Sequence, residues 1–126
     1  MHIVGQRKKG DCGIAALASY LHLPYEDVYA TAVRLDPRCG KFGITMRNLV
    51  VVAGAFSRRL KIVRKPDLEE DCGVLRVNYS DGCGHFVVLR RGQIFDVDPP
   101  GAWDLEEYLK PKPSRQDTTG WLLTED

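Results

Sequence analysis

The chain has 126 residues, enough for one domain that buries roughly two-thirds of its unfolded surface without a metal or disulfide scaffold. Hydrophobic residues make up 44% and charged residues 28%, a balance that excludes disordered and fibrous classes. Eighteen basic against seventeen acidic side chains leave a formal charge of +1, so no overall field draws the chain to nucleic acid or an anionic membrane.

The first segment, His2 to Gly10, holds a short apolar start and then a polar, glycine-bracketed loop. It contains no apolar h-region, and no later stretch reaches the roughly 18 apolar residues of a membrane span. A soluble, cytoplasmic chain is expected. Its four cysteines, Cys12, Cys39, Cys72 and Cys83, are then expected as free thiols. The basic runs Arg7-Lys8-Lys9 and Arg58-Arg59 lack interleaved aromatic rings and read as solvated faces, with no nucleic-acid partner expected.

Asp11 is placed as the N-cap of a helix in which Ile14, Leu17, Ala18 and Leu21 form an apolar stripe ending before Pro24. A second helix is expected over 25–35, stopping near Asp36-Pro37. After a loop with Gly40 and Gly43, Thr45 caps a third helix carrying Met46, Leu49, Val50 and Ala53 on one face.

Beyond Phe56 short apolar stretches bounded by turn residues predict strands at 60–63, 74–79, 85–89 and 93–98. Arg91-Gly92 separates the last two at hairpin spacing. A short helix over 104–109, a Pro- and Lys-containing loop and a strand at 121–123 complete one domain over 1–126. Helices first and strands second give an α+β fold, N-terminal helices packed on a mostly antiparallel β-sheet.

A thiol in the first turn of a helix faces the positive end of the helix dipole and free backbone N–H groups, which favour thiolate. Cys12 holds that position and is the candidate nucleophile. Its backbone N–H is a candidate oxyanion donor, and Gln6, six positions earlier on the loop, is the candidate second donor. His85, at the mouth of a strand after Gly82-Cys83-Gly84, is the candidate general base. Counting out from the hairpin turn sets Asp98 opposite His85, so Asp98 is the preferred carboxylate to orient the imidazole. Asp96, on the same strand face, is the alternative.

The segments Gln6–Leu17 (QRKKGDCGIAAL), Gly84–Leu89 (GHFVVL), Asp96–Gly101 (DVDPPG) and Asp104–Leu123, taken in order and spacing, resemble the C39-like peptidases, a branch of the papain-like cysteine proteases. The resemblance implies a papain-like fold. It also implies a Cys12 nucleophile, a His85 base, an Asp98 orienter and a Gln6 oxyanion donor that together hydrolyse a peptide or isopeptide bond in a peptide or protein substrate through an acyl-thioester. The same residues serve another acyl transfer, as in a deamidase or transpeptidase, or survive in a catalytically silent peptide-binding module. Cys39, Cys72, Cys83 and His85 lack the C-x2-4-C spacing of structural zinc, and no phosphate-binding loop is present. No metal or other cofactor is therefore expected, and nothing in the sequence sets the oligomeric state.

Overall fold

The computed structural model describes residues 2–8, 10–39, 43–113 and 116–126; Lys9 and Gly40, named above, lie outside them. Helix α1 spans Cys12–Leu21, α2 Tyr25–Leu35 and α3 Met46–Ala55. Local chemistry accounts for their limits. Pro24 supplies an extended residue before α2, whose first turn carries Glu26 and Asp27, acids that suit a helix N-terminus. Thr45 accepts the Asn48 N–H at 3.1 Å and so caps α3 as expected.

The strands are β1 Leu60–Val63, β2 Cys72–Tyr79, β3 Gly84–Arg90, β4 Gln93–Val97, β5 Pro100–Asp104 and β6 Asp117–Glu125, with the one-turn helix α4 at Leu105–Tyr108. Among the described residues they form one sheet in the order β1-β6-β2-β3-β4-β5, each neighbouring pair antiparallel. Arg91 and Gly92 both take positive φ, 44° and 81°, the two-residue turn whose twist matches a hairpin.

The expected antiparallel sheet with helices on it is the observed architecture. Two elements differ from the sequence reading. β5 was not expected, because Pro99-Pro100 reads as a stop; in the fold Pro100 opens an edge strand, where a missing N–H breaks no ladder. β6 is longer than 121–123 and lies between β1 and β2, a crossover that local pattern does not encode.

The central strands of the sheet are buried on both faces. Phe86, Val88, Val74, Phe95, Val97 and Leu123 join Ile14, Leu17, Val28, Leu49 and Val52 of the helices in the larger core. Leu75, Val77, Val87, Leu89, Ile94 and Leu122 point the other way, under Leu68, Leu105 and Tyr108. Burial on two sides is why β3 reads as an unbroken apolar run instead of alternating. Among the described residues no helix is long and apolar enough to cross a membrane.

Candidate active site

The site forms where the sheet comes apart. β3 and β4 pair at Arg90↔Gln93, Leu89↔Ile94 and Val88↔Phe95, and the ladder stops there, although β3 begins at Gly84 and β4 runs on to Val97. Hydrogen-bonded pairs alternate along an antiparallel ladder, so a continued ladder would have joined Phe86 N–H to Val97 O. Instead Val97 O accepts the Gln6 N–H at 2.7 Å, and the Phe86 N–H meets the sulfur of Cys12. The segment that leads into α1 thus fills the parted seam. Gly13 lets it approach closely: a Cβ there would lie 2.8 Å from Ile44 Cγ2 and 3.0 Å from the Phe86 ring.

Asp11 shapes that segment in a way the sequence reading missed. Its place before α1 predicts a helix cap, but its side chain makes no cap hydrogen bond. The carboxylate, with no exposed surface, turns back and its Oδ2 accepts the N–H groups of Arg7 and Lys8, each at 3.1 Å, and the hydroxyl of Tyr25. Burial and the Asp11 carboxylate push the Tyr25 phenol upward, so it stays a donor. The consequence is twofold: the loop from Gln6 to Lys8 is clamped, and the first-turn N–H groups of α1 are left for the sulfur and for whatever binds there. Asp11→Ala should lower the unfolding free energy by about 2–4 kcal/mol, since it strands two backbone donors. Urea unfolding checks this, and an unshifted midpoint would mean the loop is held by other contacts.

His85 and Asp96 lie on the sheet face opposite α1, both buried. His85 Nε2 is 2.7 Å from Asp96 Oδ1, which leaves Nδ1 for the hydrogen bond to Cys12. Tyr79 stacks on the imidazole at 6.2 Å between centroids. Asp96 also accepts the Asp98 N–H at 3.1 Å and the Tyr108 hydroxyl at 2.8 Å.

The charges follow from these contacts. Burial alone raises the Cys12 thiol, but the His85 hydrogen bond, the Phe86 N–H, the imidazolium charge and the Gly13 N–H outweigh it, and the net value falls below that of an ordinary thiol. Burial lowers the imidazole, yet hydrogen bonds to Asp96 and Cys12 and their negative charges raise it to about 9. Asp96, which burial would raise, is held below the ordinary carboxylate value by His85, the Asp98 N–H and Tyr108. Tyr108, pushed upward by burial and by the Asp96 charge, remains a proton donor to that carboxylate. Both shifts act in the same sense, toward thiolate beside imidazolium.

The fold therefore brings Cys12 and His85 together, and corrects the third position. The imidazole is bonded to Asp96, not to the preferred Asp98. The register of the hairpin was counted correctly, but the strands diverge after Val88↔Phe95, and Val97 pairs with Pro100 instead. Asp98 becomes a turn residue, exposed, holding Asp96 through its backbone. Gln6 is placed by its backbone beside Val97, and its Nε2 donates to Lys8 O at 2.9 Å; an amide nitrogen has a second N–H to give. Tyr79 and Tyr108 were not anticipated. The short 79–84 connection offered a hairpin signal that would have set Tyr79 beside His85, whereas nothing local announces which way a one-turn helix aims Tyr108.

Cys39 is buried, Cys72 half-buried and Cys83 exposed, all three as free thiols. Among the described residues no group of three or more His, Cys, Asp or Glu side chains is placed to hold a metal ion.

No protein-family model matches the sequence, and no curated protein does. Solved structures do match the fold. The chain is similar to the peptidase domain of Streptococcus ComA, a bi-functional ABC transporter involved in quorum sensing, with a TM-score of 0.63, 18% identity, and 94% of this chain covering 96% of that one. It is similar to a double glycine motif protease from an AMS/PCAT transporter in complex with the leader peptide, with a TM-score of 0.60, 18% identity, and 99% of this chain covering 91% of that one. Helices laid on an antiparallel sheet, over nearly the whole length, make this the fold of that peptidase domain and that protease.

Proposed function

We propose that the chain is a cysteine peptidase that hydrolyses a peptide or isopeptide bond through an acyl-thioester. The carrying observation is the unbroken series of contacts from the Cys12 sulfur through the His85 imidazole to the Asp96 carboxylate. Cys12 attacks the carbonyl as thiolate, and the tetrahedral oxyanion is met by the Cys12 N–H and by Gln6 Nε2 turned from Lys8. Protonated His85 delivers a proton to the leaving amine, and as neutral imidazole it then draws one from the water that cleaves the thioester. Asp96 keeps the ring in one orientation and balances its charge. The similarity in fold to a peptidase domain and to a protease in complex with the leader peptide supports a peptide as substrate, and the steps drawn need no cofactor.

The test is incubation with a mixed peptide library that includes Gly-Gly sequences, with cleavage mapped by mass spectrometry and Cys12→Ala as control. Cleavage that persists in Cys12→Ala would remove the nucleophile. A pH series separates the steps. Cys12 should be alkylated by iodoacetamide at pH 6, well below the range of an ordinary thiol, ahead of the more exposed Cys83. Hydrolysis should rise over the same acid range and fall as pH passes about 9, where His85 loses the proton its leaving group needs. Alkylation needs only thiolate and should show no such fall. Labelling of Cys83 before Cys12 at pH 6 would contradict an activated sulfur.

A further inference from the structure

A cavity of about 260 Å³, lined by Met46, Arg76, Asn78, Phe86, Gly120 and Trp121, opens beside the site. It lies on the helix-facing side of the sheet and shares Phe86 with the nucleophile, since the Phe86 N–H touches Cys12. Arg76 is the unexpected member. It stands in β2 with its side chain on the face opposite those of Leu75 and Val77, half-buried, where a cation whose inner nitrogen lacks a partner is costly.

Its Nε is buried with no hydrogen-bond partner, and among the described residues no carboxylate pairs with the guanidinium. What it does touch is the Phe86 ring, 5.3 Å from centroid to Cζ. The backbone is built around this side chain. The β2–β6 register shifts between Leu75 and Val77, from Leu75↔Leu122 to Val77↔Thr119, so that Gly120 and Trp121 together face Arg76, and such a bulge re-aims the residue it contains. A Cβ on Gly120 would sit 3.4 Å from Arg76 Cγ, and one on Gly84 would sit 2.1 Å from Arg76 Nη2. Two glycines thus clear room for the stem and the fork.

We propose that this cavity binds a carboxylate of the substrate, with Arg76 as the residue that selects an acidic group next to the scissile bond. A guanidinium presents paired donors that match the two oxygens of a carboxylate, Asn78 adds an amide, and Phe86, Met46 and Trp121 supply apolar wall. The carboxylate belongs to a glutamate or aspartate side chain or to the peptide's own C-terminus; the chemistry is shared. The inference rests on Cys12 being the nucleophile, because that is what makes the neighbouring cavity a substrate subsite.

The test uses reagents that report on the cavity whether or not any peptide is hydrolysed: chloroacetyl-Glu-amide, chloroacetyl-Gln-amide and chloroacetyl-Gln with a free carboxylate, each also made with one glycine spacer. Saturable alkylation of Cys12 is followed at pH 7, relative to iodoacetamide. One of the two carboxylate reagents should react about tenfold faster than the neutral amide, through a lower half-saturation concentration. Which one it is tells side chain from C-terminus. Arg76→Gln should bring the ratio to about one, as should Gly84→Ala, which keeps the charge and displaces the fork. Equal rates for all reagents, with Cys12 still the fastest thiol, would overturn the carboxylate site and leave the nucleophile intact. A preference that survives both substitutions would overturn the role of Arg76, and a Cys12 no faster than Cys83 would remove the nucleophile beneath the proposal.

Discussion

Replacing His85 by alanine is expected to slow hydrolysis by about 10⁴-fold, because one substitution removes both the proton carrier and the main partner of the thiolate. The two losses separate on measurement. Alkylation of Cys12 at pH 6 needs thiolate alone, and in His85→Ala the sulfur keeps the Phe86 and Gly13 N–H groups, so labelling should fall by only about 10- to 100-fold. The gap between the two losses is the imidazole's work as acid and base. His85→Gln, closer in size, guards against a packing defect in a residue only 8% exposed. Comparison of hydrolysis rates with second-order alkylation constants for both variants decides the matter. Equal falls in the two assays would reduce His85 to a counter-ion, and no fall in either would remove it from the site.

Much of this architecture is legible in the residues, and the reasons it becomes illegible are physical. Helix limits follow from short-range chemistry such as Thr45, Pro24 and the apolar spacing of α1, so the sequence reading and the structure agree there. The hairpin at Arg91-Gly92 is equally local, and its register was correct as far as the ladder goes. What sequence counting cannot contain is the end of a ladder. Whether β3 and β4 stay zipped depends on a segment some eighty residues earlier entering between them, and that is a tertiary competition for Phe86 N–H and Val97 O. Asp11 departs from the cap its sequence position predicts for a related reason. Cap propensity is a statement about a helix in isolation, while the buried carboxylate found better donors in its own preceding loop. The position of β6 and the aim of Tyr108 are likewise set by long-range packing.

The parted seam makes Asp96 and Asp98, two carboxylates separated by one residue, opposite in consequence. Asp96→Asn should cut hydrolysis by about 10²–10⁴-fold, the range in which an amide holds the imidazole in the wrong tautomer and no longer balances its charge. Asp98→Asn should change it by less than about threefold, because that residue supports Asp96 through a backbone N–H that asparagine retains. The contrast carries its own internal readout. Asp96 is the first of the groups that raise the imidazole to about 9, so in Asp96→Asn the His85 titration followed by NMR should move down toward the ordinary histidine value, and the alkaline fall in activity should move with it. In Asp98→Asn both should stay where they are. If instead Asp98→Asn shifts the titration and Asp96→Asn does not, the working enzyme uses a hairpin closed further than Val88↔Phe95, and the counted register of His85 opposite Asp98 would describe its active form.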